Sequence, residues 1–176
     1  MAIETARLRL RRWRPDDVEP WAAIVADPEV MRHLGSGALT HDDAGEQIER
    51  FERHWVEHGF GHWAVEERST GAMIGRVGLL HHDDWSEDPE NVEVGWTIER
   101  SRWRRGLATE GARASLRFGF DGLRLERVIS IARRDNHASR RVMEKTGLDL
   151  RDETDWRSHR VVWYAIERAT WAARDE

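Results

Sequence analysis

The sequence has no cysteine among its 176 residues. That excludes disulfides, thiolate metal sites and a cysteine nucleophile, and it fits a cytoplasmic protein. Lysine is almost absent too: Lys145 is the only one, against 28 Lys+Arg in all. The glycine turn at Gly106 therefore cannot be a nucleotide P-loop, which needs Gly-Lys-Ser/Thr. The dinucleotide pattern Gly-x-Gly-x-x-Gly is missing as well, because Arg104 and Arg105 precede that glycine. No apolar run approaches the roughly 20 residues of a membrane span. The basic N-terminus lacks the apolar core of a secretory leader, since Leu8 and Leu10 alternate with arginines. Net charge is -5, with basic residues scattered among acids, so no coherent basic face offers itself to nucleic acid. Tyrosine is scarce, one against ten tryptophans, and the tryptophans read as core or wall residues. Repeats, linkers and low-complexity tracts are missing too, which predicts one domain over residues 1–176, as a monomer or homodimer.

What is there begins with Ser101-Arg102-Trp103-Arg104-Arg105-Gly106-Leu107-Ala108-Thr109-Glu110-Gly111. A period-two, β-branched run over 92–98 precedes it and reads as a strand. A run over 109–120, with Leu116 and Phe120 at helical spacing, follows it. Small residues at 106 and 108 let a ligand approach the backbone. Free N–H groups and the helix dipole at such a start bind phosphate. A plain basic connection with Thr109 as N-cap accounts for the same residues. Pattern over the rest of the chain predicts strands at 7–13, 60–67, 72–80, 92–99, 126–132, 148–153 and 160–167. Helices are predicted at 15–26, 28–34, 42–58, 109–120 and 137–145, and the tail 174–176 reads as frayed. Strands and helices in this mixed order imply one α/β (α+β) mixed sheet covered on both faces.

A second motif, Asn136-His137-Ala138-Ser139 through Gly147-Leu148, is by itself an ordinary helix with an Asn N-cap and a Gly C-cap. Its pairing with the upstream Trp-Arg-Arg-Gly-Leu-Ala-Thr-Glu makes the chain resemble the GNAT acetyltransferases, in particular their RimJ/RimL-type branch. Further blocks in the same order carry the resemblance: Glu4 to Arg11, Ala26 to Met31, Trp63 to Gly75, and Glu93-Val94-Gly95-Trp96.

The resemblance implies the GNAT fold, with two neighbouring parallel strands, here 92–99 and 126–132, splaying apart to admit acetyl-CoA. It implies cofactor contacts at Trp96, Ile98, Arg104, Arg105, Gly106, Leu107, Ala108, Thr109, Asn136 and Ser139, and no metal. Arg104 departs from a frequent family glycine. It is expected in an ordinary conformation, offering its guanidinium to a phosphate. The implied chemistry is direct acetyl transfer to a primary amine. Glu93 is the candidate base, directly or through water, or else a surface strand carboxylate. A backbone N–H at Val94 or Gly95 is the expected oxyanion donor. The family's frequent tyrosine acid falls on Met143, which leaves Ser139 as the substitute, on the coenzyme sulfur or on the pantetheine.

His81-His82-Asp83-Asp84 reads as a solvated turn, because consecutive residues point apart and no spaced partner accompanies them. The surrounding acids (Asp83, Asp84, Glu87, Asp88, Glu90) are expected to attract a cationic substrate. His33, His41, His54, His58 and His62 read as surface residues. By analogy the acceptor enters between 35–38 and a loop at 152–157, and it is a protein N-terminus or a small-molecule amine. A catalytically weak acyl-CoA sensor, or an adaptor with a vestigial site, is the alternative.

Overall fold

The computed structural model describes residues 2–35, 37–89 and 91–175. Eight strands form one mixed sheet: β1 (Ile3–Glu4), β2 (Leu8–Arg11), β3 (His62–Glu67), β4 (Met73–His81), β5 (Val92–Ile98), β6 (Arg127–Arg133), β7 (Asp149–Trp156) and β8 (His159–Glu167). Their spatial order is β1-β2-β3-β4-β5-β6-β8-β7. Among the described residues only β5 and β6 run parallel, and their ladder consists of one bridge, Glu93 with Ile129.

Two helical layers cover the sheet. On one face lie α1 (Val18–Val25), α2 (Pro28–Met31) and α3 (His41–His58). Thr40 and Asp43 close the start of α3 as a reciprocal capping box, and Gly59 ends it at φ 75. Ala44, Ile48, Phe51 and Trp55 recur at three- and four-residue steps. The first three turn one stripe of α3 into a core shared with Trp13, Trp21 and Ala64, and Trp55 packs edge-on against Trp63. On the other face lie α4 (Leu107–Arg117) and α5 (His137–Thr146). Leu107, Ala112, Leu116 and Met143 pack there on Trp63, Val77, Leu79 and Val94. A Cβ on Gly111 would stand 3.1 Å from the Val77 side chain, so glycine lets α4 sit close to β4. Outside the reach of α1–α3, Trp85 covers the β6–β8 half of the sheet, against Ile129, Val161 and Trp163.

Several boundaries differ from expectation. The helix after the glycine turn starts at Leu107, with Gly106 as a left-handed N-cap at φ 77, so Thr109 sits inside the first turn rather than capping it. That helix relaxes into a π-turn at Phe118–Gly122. The expected loop at 152–157 is largely strand: β7 runs to Trp156 and turns tightly at Arg157 and Ser158, whose φ values are 47 and 63. Strand β1 and helix α6 (Arg168–Asp175) were not expected at all, and α6 occupies the stretch read as a frayed tail. Glu176 lies outside the described residues.

Candidate active site

Alternation along β5 fixes which groups face the β5–β6 gap. His82 donates its N–H to the Asn91 carbonyl, and Glu99 donates to Ile74. Odd-numbered residues of β5 thus turn their main chain toward β4, and Val94, Trp96 and Ile98 turn theirs toward β6. The Glu93–Ile129 bridge engages the Val94 N–H in this pattern. A regular parallel ladder would continue with Ile131 N–H to the Val94 carbonyl. Two side chains take those groups instead: Glu93 Oε1 accepts the Ile131 N–H at 3.1 Å, and Ser130 Oγ donates to the Val94 carbonyl at 2.9 Å. The strands separate at that step, and Trp96 carries the first main-chain N–H and C=O beyond it. Of the expected donors, the Val94 N–H is engaged in that bridge and Gly95 faces β4, so the Trp96 N–H is the main-chain donor that faces the gap beyond the bridge. The Ile98 carbonyl is taken by the Trp103 indole at 2.8 Å.

The separation opens onto a cleft of about 580 Å³, lined by Trp96, Thr97, Ile98, Trp103, Arg104, Gly106, Leu107, Ala108, Thr109, Asn136 and Ser139 among others. Nine of the expected positions meet there. At its floor the N–H groups of Leu107, Ala108 and Thr109 precede the first intrahelical bond, Glu110 N–H to the Gly106 carbonyl at 3.0 Å. The Asn136 carboxamide caps α5 by accepting the Ser139 N–H at 3.1 Å. The Ser139 hydroxyl has no protein partner among the described residues, so it remains available to a ligand.

Arg104 does not adopt the ordinary conformation expected of it. Its φ is 60, in the left-handed region that costs a non-glycine residue roughly 1–2 kcal/mol. Arg104 lines the cleft, and its guanidinium has no acid partner among the described residues; the same holds for the side-chain cations of Arg141 and Lys145. Neighbouring Arg105 turns away, 3.0 Å from Glu67, and does not line the cleft. Arg141 and Lys145 escaped the sequence reading. Their signal was available, since they lie at i and i+4 on α5, one face of the Asn-capped helix. A neutral main-chain wedge followed by helix N–H groups and three unpaired cations fits a pantetheine arm and phosphates. The site can therefore hold acetyl-CoA with the residues it has.

Glu93 lies outside the lining of that cleft, on the sheet face shared with Gly95 and Thr97. Its Oε2 is 2.6 Å from Nε2 of His82. His82 is 8% exposed and is no solvated turn residue. The acids around it are largely engaged: Asp84 binds Arg157 through both oxygens at 2.8 and 2.9 Å, and Asp88 meets Arg127 at 2.7 Å. Arg157 holds the Asp84 carboxyl below the usual range. The loop is thus no free anionic patch, and Glu90 lies outside the described residues. His62 is buried at 2% exposure rather than on the surface, with Arg76 Nη1 2.6 Å from its Nδ1. His54 is partly buried and links the Phe60 carbonyl to the His81 N–H. The lone tyrosine, Tyr164, is tied to Arg140 and Glu144 at 3.2 and 3.4 Å, outside the cleft. Of the expected acceptor wall, Trp156 packs its ring 5.0 Å from His82, and Ser36 lies outside the described residues. Among the described residues no group of acids and histidines is arranged to hold a metal, and no helix is long and apolar enough to cross a membrane.

A family model of the acetyltransferase (GNAT) domain matches residues 7–149. The chain is 30% identical over 146 residues to an uncharacterized N-acetyltransferase, YoaA, of Bacillus subtilis (strain 168), which spans 82% of this chain and 81% of that protein. Among solved structures, a GNAT-family acetyltransferase from Bacillus anthracis superposes with a TM-score of 0.80 at 24% identity, over 96% of this chain and 99% of the other. RimL, a ribosomal alpha-N-protein acetyltransferase solved with coenzyme A, superposes with a TM-score of 0.78 at 15% identity, over 95% and 98% of the two chains. At these identities the two structures speak to the fold.

Proposed function

The chain belongs to the GNAT acetyltransferase family and is an acetyl-CoA-dependent N-acetyltransferase; from that premise we propose that residues 1–176 act as one domain that acetylates the α-amine of a protein N-terminus or a small primary amine. The observation that carries this reading is the β5–β6 ladder. It stops after one bridge, its next two groups are taken by Glu93 and Ser130, and the freed Trp96 main chain opens onto the cleft. The pantetheine amides complete the interrupted ladder at Trp96. The phosphates rest on the N–H groups of Leu107, Ala108 and Thr109, with Arg104, Arg141 and Lys145 supplying charge.

Transfer is direct, in a ternary complex, because the chain has no cysteine to carry the acyl group. The amine must first lose a proton. That costs about 4–5 kcal/mol at pH 7 for a lysine-like amine of pKa near 10.4, but only about 1.4 for an α-amine near 8. Glu93 is the carboxylate this step depends on, acting through water or through the side chain it holds. The Trp96 N–H faces the oxygen on which charge develops. Ser139, on the cleft wall, offers its hydroxyl to the coenzyme sulfur or to the pantetheine. A thiol of pKa about 8.5 leaves tolerably as thiolate, so the missing tyrosine acid at Met143 is no obstacle.

The test is thiol release from acetyl-CoA against peptides with free N-termini, lysine side chains, polyamines and aminoglycosides. Turnover confined to α-amines or to one small-amine class is the expected result. Acetyl-CoA bound without thiol release from any of them would replace this reading with that of an acyl-CoA sensor.

A further inference from the structure

Glu93 is one half of a buried pair. The His82 side chain is 9% exposed and that of Glu93 15%, and the 2.6 Å contact makes the His82 Nε2–H donate to Glu93 Oε2. The carboxylate has no proton of its own to give, so it fixes the tautomer. Nδ1 is then the basic nitrogen. It has no protein partner among the described residues, and the side chain keeps 9% of its surface exposed. Trp156 holds the ring from the side, edge to face at 75°.

Resting on the acetyltransferase reading, we infer that His82 is the proton acceptor of the reaction and Glu93 its positioning residue. An ordinary imidazole holds a proton about two pK units better than an ordinary glutamate, roughly a hundredfold in the transfer equilibrium from the amine. Glu93 is also poorly placed to act alone, because Oε1 is held by the Ile131 N–H and Oε2 by His82.

The charged and titratable groups near enough to act on the ring are Glu93 from β5, in direct contact, and at longer range Asp84 from its own loop, His54 from α3 and His62 from β3. Arg76 on β4 acts on it through Glu93. In the step itself, the Nδ1 lone pair takes a proton from the substrate ammonium, directly or through one water. This leaves a neutral amine and an imidazolium held on Glu93. The amine nitrogen bonds the thioester carbon and the C–S bond breaks. The second amine proton ends on the departing thiolate, giving amide and free thiol, and the imidazolium returns its proton to solvent.

The experiment uses the whole protein and the best amine from the panel above. His82→Gln keeps a donor for Glu93 but cannot take a proton. It should lower kcat by 10²- to 10⁴-fold, leave KM within about threefold, and abolish the acid limb of the kcat/KM profile. Glu93→Gln should move that limb to lower pH, because the imidazolium loses its carboxylate. Nitrogen NMR of the unmodified protein, which is independent of turnover and of variant folding, should show His82 as the Nε2–H tautomer at neutral pH. His82→Gln with unchanged kcat and acid limb, or an Nδ1–H tautomer, would overturn the inference while leaving the acetyltransferase reading intact. A wild-type protein that releases no thiol with any amine would overturn both, and it shows itself before any variant is made.

Discussion

Arg104 offers a substitution whose effects on stability and on binding have opposite signs. The residue sits at φ 60, where a side chain costs roughly 1–2 kcal/mol that glycine does not. Arg104→Gly relieves this strain, while the greater freedom of glycine in the unfolded chain returns about 0.4–1 kcal/mol. The net gain is about 0.5–1 kcal/mol, which raises Tm of the ligand-free protein by about 1–4 °C for a chain of this size. The same change removes a guanidinium from the cleft wall. If that group meets a phosphate, the lost charge-assisted bond is worth about 1.5–3 kcal/mol, so CoA binds roughly 10- to 150-fold more weakly. Arg104→Gln separates the two effects, since it keeps the strain and loses the charge: affinity falls without any gain in Tm. Thermal melts without ligand, together with titration calorimetry of CoA, read both quantities. A lower Tm for Arg104→Gly would refute the strain argument, and wild-type affinity in both variants would remove Arg104 from the phosphate site.

Two further outcomes follow from buried charge. Burial, and next the Arg76 guanidinium, push the His62 imidazole well below its usual 6.5. The folded state thus refuses a proton that the unfolded chain binds below that pH, so this stability is full above about 6.5 and is lost as pH falls. The slope is at most about 1.4 kcal/mol per pH unit, and His54 is shifted in the same direction by burial. Urea unfolding at pH 7, 6 and 5 should show His62→Gln with a flatter decline, and an unchanged slope would contradict the assignment. Asp17, 3% exposed, accepts Arg11 through both oxygens at 2.7 and 2.8 Å and the Arg14 N–H at 2.7 Å. Asp17→Ala leaves Arg11 buried with Glu66 alone and should cost about 3–5 kcal/mol by urea midpoint; a loss below about 1 kcal/mol would show that water replaces the carboxylate.

The elements that build the cleft were legible because they punctuate themselves. A period-two run before Gly106 and an Asn–Gly pair of caps around α5 are local signals, and local signals survive without knowledge of the fold. The misses are of another kind. The end of strand β7, beyond the expected 148–153, hid because its acids look like a loop until Arg160 is placed opposite Asp155 and 3.0 Å from Glu153. Its turn hid because Arg157 and Ser158 carry the positive φ values that usually call for Asn-Gly. Arg157 is held there by Asp84 and by the Trp156 ring, 4.1 Å away. The His82–Glu93 pair has no spacing signature, since the partners lie eleven residues apart across a hairpin. It emerges only from the register that sets Leu80 against Glu93 and His82 against Asn91. Which of two consecutive arginines lines the cleft was equally closed to inspection, and Glu67, thirty-eight residues upstream on β3, decided it for Arg105.

The same register explains why the base and the cofactor do not compete for space. A strand presents main-chain groups edge-on and side chains face-on, and the two directions are perpendicular. Val94 and Trp96 send their N–H and C=O groups into the gap, while Glu93 sends its carboxylate off the sheet toward His82 and reaches back only to cap Ile131. The group that ends the ladder is thus also the group that orients the imidazole, so the point where the cofactor can begin pairing is fixed one step from the proton acceptor. A slip of one residue in the β4–β5 pairing would exchange faces along all of β5. Glu93 would leave His82, and odd-numbered residues rather than Val94 and Trp96 would turn their main chain toward β6; the separation of the strands and the chemistry beside it stand on a single register.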